Sequence, residues 1–354
     1  MSLTGESSTR KTLRGGLIGC GFFARNHMNA WREVEGAEIV AVCDRDAGRA
    51  KAMAESFGIG GVYTDAEAML AAERLDFVDI ATTVESHRPL AELAARHKVA
   101  IVCQKPFAET LEDAQAMVAA AERAGVPLLV HENFRWQKPF IELQRLLQQG
   151  TIGKIHYARL SFRHGYDNYK NQPYLAEVAR FAIMDVGLHL YDLARWLFGE
   201  VETVHCRTQR LNPIVKGEDA FVSMLGHAGG AVSVIDCSFY SVIDPEPFPQ
   251  TLAWIEGDRG TLELSAGYRL RIHRRGAAAE EIDVEPPVPS WGEKPWHVVQ
   301  DSVRAFEEHV VAVVRDGVEG APTGRDNLKT LAVALASYES AERGSVVRLA
   351  GGAA

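Results

Sequence analysis

One lysine of this chain stands at the point where a predicted strand ends. The apolar run at 99–103 reads as a buried strand, and the chain continues as Gln104, Lys105 and Pro106. Proline restricts the residue before it to extended conformations, so the backbone of the lysine is held. A lysine in this position can donate to a hydroxyl or carbonyl oxygen, stabilise a developing alkoxide and help to transfer a proton. The alternative is an ordinary solvated lysine that follows a strand.

A second group of reactive side chains opens a predicted helix further along the chain. Asp185 and His189 are four residues apart, so they share a face if both are helical, and Gly187 leaves space on that face. A carboxylate can fix the tautomer of an imidazole, which exchanges a proton near neutral pH. Asp192 is a candidate for a second orienting acid. The alternative is a capping aspartate beside a histidine that packs on an apolar helix.

Asp185, His189 and Asp192 could also bind a metal ion from a single helix. The sequence supplies no close companion ligands of the kind that zinc-binding helices carry. We therefore expect no metal in this protein.

A glycine turn near the start of the chain points to a nucleotide. The first predicted strand runs into Gly19 and Gly21, Ala24 opens a helix, and Asp44 follows the second predicted strand. The glycines allow a tight turn and a close approach of a pyrophosphate to the helix N-terminus. Asp44 can accept from the ribose hydroxyls of NAD and would repel the 2′-phosphate of NADP. Arg45 beside it leaves NADP possible; a tight turn in an unrelated α/β protein is the alternative.

The elements around these residues suggest two domains. Between residues 12 and 132, strands near 14–19, 38–43, 77–81, 99–103 and 127–131 alternate with helical patterns, which is typical of a doubly wound parallel sheet. From 133 to 354 the pattern changes to strands with one polar face, near 155–163, 201–209, 219–226, 230–240, 251–256, 261–264 and 268–273. We expect an α+β domain with a large, mostly antiparallel open sheet, closed by helices near 297–315 and 325–342.

Composition excludes several classes of protein. The chain has 354 residues, 47% of them hydrophobic, which is enough for substantial cores, and a net charge of −9 gives no footprint for nucleic acid. Five cysteines without metal-ligand spacing suit reduced core residues, and no apolar run is long enough to span a membrane. The polar segment 1–10 lacks the apolar centre of a secretory signal. These features predict a cytoplasmic protein.

Six short motifs, in their order along the chain, resemble those of the glucose–fructose oxidoreductase, inositol dehydrogenase and MocA (Gfo/Idh/MocA) family. They are the glycine turn at 19–24, Ala81-Thr82-Thr83 with Ser86-His87, Gln104-Lys105-Pro106, Asn133-Phe134-Arg135-Trp136, Asp185-x-Gly187-x-His189 and Pro322-Thr323-Gly324-Arg325-Asp326. The likeness covers nearly the whole chain. The chain departs from the family at Thr83, which replaces a proline, and at Gln104, which replaces a glutamate and drops a negative charge beside Lys105.

The resemblance implies an NAD-dependent sugar or polyol dehydrogenase with a Rossmann domain and a second domain whose open sheet makes the oligomer contact. It implies that Lys105 binds the reacting oxygen, that His189 is the principal acid and base, and that Asp185 positions substrate and histidine. We expect ordered hydride transfer, in which NAD binds first and a sugar or polyol follows. An exposed sheet face favours a homodimer or homotetramer.

These expectations assign two sets of binding residues. The cofactor set is Gly19, Gly21, Phe22, Phe23, Asp44, Arg45, Thr82, Thr83, His87, Gln104 and Lys105. The substrate set is polar and aromatic, as hydroxyl groups and sugar C–H faces require: Arg163, Tyr166, Asn168, Arg180, Trp136 and His297. Each substrate residue has a purely structural alternative, and the two arginines also allow a carboxylated sugar.

Three other functions fit the same fold. The first is glycoside cleavage assisted by a tightly held NAD, and the second is reduction of an imine or a ring double bond. The third is an NAD-responsive regulator without catalysis, although a regulator needs only the nucleotide pocket and not Lys105, Asp185 and His189.

Overall fold

A computed structural model of the chain describes residues 11–349. Its contacts divide into two units. The first consists of residues 11–131 together with Val303–Arg325, and the second of Glu132–Ser302 together with 326–349. The polar segment 1–10, which we interpret as lacking a secretory signal, lies outside the described residues.

The first unit is a parallel six-stranded sheet with the strand order β3-β2-β1-β4-β5-β6. The strands are β1 (Leu13–Ile18), β2 (Ala37–Cys43), β3 (Gly61–Tyr63), β4 (Phe77–Ile80), β5 (Ala100–Gln104) and β6 (Leu128–His131). The helices between them are α1 (Ala24–Trp31), α2 (Ala47–Phe57), α3 (Ala66–Ala72), α4 (His87–Arg96) and α5 (Leu111–Ala124). All residues of β4, β5 and β6 are buried, as the continuous apolar runs predict for a sheet covered on both faces.

The order of the strands reverses at β1, which pairs with both β2 and β4. Ile18 at its carboxyl end lies opposite Cys43 and Ile80. In open parallel sheets, ligands bind outside the carboxyl ends of the strands at this reversal. The glycine turn and the residues after β2 and β4 therefore lie at the edge where a dinucleotide is expected.

A late segment of the chain completes the first unit. The N–H of Val130 donates to the carbonyl of Pro322 at 3.1 Å, and Leu129 and Thr323 form an isolated antiparallel bridge. The sequence prediction places 303–325 in the second domain, and the structure differs because these contacts join the segment to β6. Pairing between residues so far apart in the chain leaves no local signal.

The second unit contains a nine-stranded sheet with the order β14-β13-β12-β11-β7-β10-β9-β8-β15. Its strands are β7 (Ile155–Arg163), β8 (Val201–Gln209), β9 (Ala220–His227), β10 (Val232–Ser238), β11 (Leu252–Gly257), β12 (Gly260–Ser265), β13 (Arg269–Arg274), β14 (Glu280–Asp283) and β15 (Val347–Arg348). All neighbours pair antiparallel except β7 and β10. The predicted fold class, a doubly wound parallel sheet followed by a mostly antiparallel one, is confirmed.

Four further helices follow the first unit's segment 11–131. They are α6 (Lys138–Gln148), α7 (Leu188–Phe198), α8 (His297–Asp316, part of the first unit from Val303 onwards) and α9 (Gly324–Arg343). Ten of the eleven residues of α7 are buried. The Tyr191 hydroxyl on α7 lies 2.7 Å from the Ser223 hydroxyl on β9, so α7 covers one face of the second sheet.

The other face of the second sheet is exposed. Val222 and Met224 on β9 are 46% and 49% exposed, and Trp254 on β11 is 39% exposed. A cavity of about 320 Å³ on this face is lined by Tyr157, Arg159, Arg163, Val222, Val234 and Asp236.

Two further observations concern the cysteines and the helices. Cys20, Cys43, Cys103, Cys206 and Cys237 are buried free thiols. Within residues 11–349, no helix combines the length and the apolar character that crossing a membrane requires.

Candidate functional site

The glycine turn after β1 has the backbone that a pyrophosphate site needs. Gly19 has a φ of +96°, and a Cβ there would lie 2.7 Å from the carbonyl oxygen of Ala81. A Cβ on Gly21 would meet no atom within 4 Å, so the backbone borders open space there. The next residue, Phe22, is 50% exposed, and no side chain caps the N-terminus of α1. These features fit a phosphate group against the helix N-terminus.

Asp44 is held in one orientation by the backbone around it. One carboxylate oxygen accepts from the N–H of Cys20 at 2.8 Å, and the other accepts from the N–H of Asp46 at 2.9 Å. Each oxygen keeps a second lone pair for a further donor, such as a ribose hydroxyl. Arg45 beside it is exposed. The turn and Asp44 together fit the adenosine half of NAD.

The loop after β4 carries Thr82, Thr83 and His87. The Ser86 hydroxyl donates to the Thr82 hydroxyl at 2.7 Å. The buried His87 ring lies between two carbonyls, with Nε2 3.2 Å from that of Thr82 and Nδ1 3.3 Å from that of Phe107. Burial lowers the pKa of His87 against the raising effect of these carbonyls, which favours the neutral ring. His87 thus links the loop after β4 to the loop that follows Lys105.

Gln104 is the last residue of β5, and its side chain is buried. Its Oε1 accepts from the backbone N–H of Lys105 at 2.7 Å, and its Nε2 lies 3.0 Å from Nε2 of His27. The backbone of the candidate catalytic lysine is therefore fixed by the side chain before it.

In the second unit, Asp185 and His189 lie on different kinds of helix. Asp185 belongs to a π-helical segment, Ile183–Gly187, and His189 lies in the first turn of α7. The Glu218 carboxylate holds the start of the π-helical segment by accepting from the N–H of Ile183 at 3.0 Å. Single π-turns inside helices are frequent at functional sites.

The carboxylate at hydrogen-bonding distance from His189 is that of Glu132. Nδ1 of His189 lies 2.7 Å from Oε2 of Glu132, and both side chains are buried. The ring of Phe134 stacks on the imidazole with centroids 3.9 Å apart and planes at 2°. A carboxylate accepts only, so Nδ1 carries the proton and Nε2 has the lone pair that can take up another.

Asp192, the candidate second orienting acid, has a different role in the structure. Its two carboxylate oxygens accept from Nε and Nη2 of Arg135, and one of them also accepts from the Thr330 hydroxyl at 3.0 Å. Arg135 also donates to Asp326 at 2.7 Å. Burial alone would lower the pKa of Arg135, but the two carboxylates raise it, so the guanidinium stays charged. This buried ion pair network holds α7 to the segment 133–136.

Asp185 acts electrostatically on two residues beyond β7. Burial lowers the pKa of His164 to about 4, and the charge of Asp185 opposes this shift only in part. Burial raises the pKa of Tyr169 to about 12, with smaller contributions from Asp219 and Asp185. At neutral pH, His164 is therefore neutral and Tyr169 keeps its phenolic proton.

The predicted substrate residues have different neighbours in the second unit. Arg163 lines the cavity on the exposed sheet face and lies 3.4 Å from Asp236. The Arg180 guanidinium lies 4.9 Å from the centroid of the Tyr338 ring, and the Asn168 N–H donates to the Tyr166 carbonyl. The rings of Tyr166 and His297 pack edge-on against Phe248 and Tyr268 respectively. The indole nitrogen of Trp136 is buried. Their roles toward a substrate stay predictions.

Sequence reasoning missed Glu132 and did not select His164 or Tyr169. A signal for Glu132 was available, because it directly follows β6, just as Lys105 directly follows β5. The rule that singled out the lysine as a strand-end residue applies equally to this glutamate. His164 and Tyr169 lie in the polar, aromatic loop after β7 and carried no signal that separated them from their neighbours.

Comparison with known proteins identifies both parts of the chain. Residues 13–132 match the family model GFO_IDH_MocA, an oxidoreductase family with an NAD-binding Rossmann fold. Residues 140–263 match the GFO/IDH/MocA C-terminal domain.

Several relatives are similar over almost their whole length. A D-apiose dehydrogenase of Paraburkholderia graminis is 51% identical over 347 residues, which cover 98% of this chain and 92% of that protein. A D-apiose dehydrogenase of Rhizobium rhizogenes is 50% identical over 336 residues, covering 95% and 97%. A crystal structure of an oxidoreductase from Agrobacterium radiobacter with NAD⁺, L-tartaric acid and magnesium is 49% identical, with a TM-score of 0.94 over 96% of this chain and 98% of that one.

These matches confirm the prediction of an NAD-dependent dehydrogenase of the kind that acts on sugars and polyols. They also confirm NAD as the cofactor. The individual site residues stay predictions, as does the convergence of Lys105 with Asp185 and His189.

Proposed function

The chain belongs to the Gfo/Idh/MocA family of NAD-binding oxidoreductases, and we propose that it oxidises a hydroxyl group of an aldose or polyol, with D-apiose as the first candidate. The observation that carries the proposal is the buried pair of Glu132 and His189, which presents Nε2 as a base. Two relatives about half identical to this chain, each named a D-apiose dehydrogenase, support the choice of sugar.

The first unit would hold the cofactor through Gly19, Gly21 and Asp44. When bound, NAD supplies the hydride acceptor. Lys105 would donate from its ammonium group to the reacting oxygen and stabilise the negative charge that develops there. Gln104 and His87 would keep the lysine backbone in place from its two sides, through Lys105 itself and through Phe107.

The second unit would move the proton. His189 Nε2 would take the proton of the reacting hydroxyl, and Glu132 would stabilise the imidazolium that forms by holding Nδ1–H. Asp185 would accept from a second hydroxyl of the sugar.

We assign the preference for NAD over NADP to Asp44. Because two backbone N–H groups hold its carboxylate, it has no freedom to turn away from a 2′-phosphate. We expect Asp44→Ser to lower kcat/KM with NAD and raise it with NADP, so that the ratio falls about a hundredfold, or about 2.7 kcal/mol. A ratio that stays at the wild-type value would remove Asp44 from this role and leave Arg45 as the determinant.

The deciding experiment is a screen for NADH formation over D-apiose, other aldoses, inositols and sugar acids. Lys105→Ala should abolish turnover while the protein still binds NAD, whereas Lys51→Ala, at an exposed lysine on α2, should change neither turnover nor NAD affinity. Retained NAD with glycoside cleavage and no net NADH would favour the glycosidase mechanism. NAD binding without any turnover would favour a regulator, and unchanged turnover in Lys105→Ala would refute the role of the lysine.

We also propose that the exposed face of the second sheet joins copies of this chain into a homodimer or homotetramer. Leaving Val222, Met224 and Trp254 in water is unfavourable, and such a patch on a sheet is typical of an interface. Met224→Glu should shift the mass in solution toward the monomer, measured by size-exclusion chromatography with light scattering. Val62→Glu, at a similarly exposed position in the first unit, is the control. A monomeric wild-type protein would refute the proposal.

A further inference from the structure

A cluster of polar side chains is buried in the first unit behind Lys105. It contains His27, Asp79, Gln104, His131 and Glu307, of which four are fully buried and Gln104 is 8% exposed. Apolar residues at these places would stabilise the fold more, because each buried polar group must recover the hydrogen bonds that it loses to water. The proposed function uses none of the cluster except Gln104.

The hydrogen bonds of the cluster determine which atoms carry protons. A backbone N–H donates only, so the Gln104 side-chain atom 2.7 Å from the Lys105 N–H is its oxygen, and its NH₂ group faces His27. The NH₂ group also donates only, so Nε2 of His27 is the acceptor. Nδ1 of His27 then carries the ring proton and donates to Asp79 at 2.8 Å, and the indole of Trp31 donates to the same oxygen at 2.9 Å.

We propose that Gln104 is a positioning residue for Lys105, and that it can act so only because His27 is locked as the neutral Nδ1–H tautomer by Asp79. The inference rests on the proposed function of Lys105 and deepens it. Each contact in the row from Asp79 to the Lys105 backbone has one donor and one acceptor, and reversing any one of them sets two donors or two acceptors against each other. The row therefore has a single arrangement, which fixes where the lysine leaves the strand.

The same row explains why a glutamine suits position 104 in this chain. An ionised glutamate there would accept from both sides, so His27 would need a second ring proton and would become a buried imidazolium between two carboxylates. The cluster already holds Asp79 and Glu307, and burial together with the Asp79 charge raises the pKa of Glu307 well above its ordinary value. Glutamine keeps the acceptor for the Lys105 N–H and adds no further charge.

A metal ion is a less suitable occupant of the cluster. His27, His131 and Glu307 offer ligand atoms within 4.8 Å of one another. The two imidazole rings stack, however, with centroids 4.2 Å apart and planes at 24°, so their in-plane lone pairs run side by side and do not converge on one point. Both ring nitrogens of His27 are also engaged, with Gln104 and with Asp79.

The first test determines the tautomer of His27 by NMR and does not depend on enzyme activity. Full-length protein labelled with ¹⁵N-histidine gives long-range ¹H–¹⁵N ring correlations for its 12 histidines, and His27→Gln identifies the signal of interest. We expect Nδ1 protonated and Nε2 bare in the wild type, and both nitrogens protonated in Gln104→Glu. If His27→Gln does not fold, the signal that changes in Gln104→Glu identifies the ring. A wild-type His27 with a proton on Nε2 would overturn the inference.

The second test measures positioning. Gln104→Met keeps the size of the side chain but removes both contacts, and we expect kcat to fall about tenfold while KM for NAD and for the sugar stays within about twofold. Gln104→Glu retains the acceptor for the Lys105 N–H, so its kcat should return to within about threefold of the wild type. Gln148→Met, an exposed position on α6, is the matched control.

The two tests separate this inference from the proposed function. Wild-type kcat in Gln104→Met would overturn the positioning role. A protein that oxidises no sugar would refute the proposed function, and the ring correlations would still decide whether the row of hydrogen bonds exists as described.

Discussion

Replacing Glu132 by glutamine tests the proposed base most directly. The variant keeps the shape of the side chain but removes the charge that faces Nδ1 of His189 at 2.7 Å. A buried hydrogen bond to a charged group contributes about 1.5–3 kcal/mol, and the imidazolium forms only as the proton is taken up. We therefore expect the loss in the transition state, with kcat reduced by about 10- to 150-fold.

The amide of the variant can also face the ring in two ways. With its oxygen toward Nδ1–H, Nε2 keeps its lone pair and the reduction lies at the lower end. With its NH₂ group toward Nδ1, the ring proton moves to Nε2 and the base is lost, so the reduction exceeds the upper end, as for a wrong tautomer in a catalytic triad. Glu132→Asp, which keeps the charge on a shorter side chain, should lie between the wild type and the glutamine variant.

The assay is the steady-state formation of NADH at saturating NAD and sugar, with NAD affinity measured separately by titration. NAD affinity should not change, because Glu132 is not among the residues assigned to the cofactor. Glu202→Gln, at an exposed position on β8, is the matched control. A kcat within about twofold of the wild type in a folded Glu132→Gln protein would refute the assignment of His189 as a base oriented by Glu132.

Three further changes test the surrounding structure. Burial and the Asp79 charge raise the pKa of Glu307 in the folded protein. The protonated side chain therefore contributes fully to stability below its ordinary pKa near 4.5. As the pH rises from there toward the folded pKa, the free energy of unfolding falls by about 1.4 kcal/mol per pH unit. The melting temperature of Glu307→Gln should therefore exceed that of the wild type increasingly as the pH rises above about 5, and an offset independent of pH would contradict this. Asp192→Asn leaves the buried Arg135 with one carboxylate and should lower the free energy of unfolding in urea by about 3–5 kcal/mol; a loss below about 1 kcal/mol would show that Asp326 suffices. Gly19→Ala, at a φ of +96°, should weaken NAD binding at least tenfold in a calorimetric titration, and wild-type affinity would argue against a close approach of the pyrophosphate.

The elements of the first unit could be predicted closely from the sequence. The strand expected at 38–43 is observed as Ala37–Cys43, and one of the helical patterns expected between the strands is observed as α5 (Leu111–Ala124). Both have strong local signals, a continuous apolar run in the first case and a threonine cap with a glycine after the last turn in the second. The strand Gly61–Tyr63 was missed because it is a three-residue edge strand without a buried run.

The candidate site was less predictable because its contacts join distant parts of the chain. The spacing of Asp185 and His189 predicted two residues on one face of an α-helix. In the structure Asp185 lies instead in the π-helical segment Ile183–Gly187, which the spacing did not indicate. The partner of His189 lies 57 residues earlier, and that of Gln104 lies 77 residues earlier. Periodicity reports which face of an element is buried, but it does not report which buried polar groups meet.

The backbone of Lys105 and the ring of His189 are held by the same physical means, which in both cases is a hydrogen bond to a buried polar side chain. A lysine ammonium or an imidazole on the surface samples many orientations, and a misplacement of about 1 Å can cost a hundredfold in rate. At Lys105 the backbone is held by a buried amide, and at His189 the ring is held by a buried carboxylate and a stacked phenyl ring. Both anchors have one donor and one acceptor at every contact, so neither can rotate without leaving a buried group unsatisfied. Rigidity at these two places thus follows from the penalty for breaking a buried hydrogen bond, and not from a large net contribution of that bond to stability.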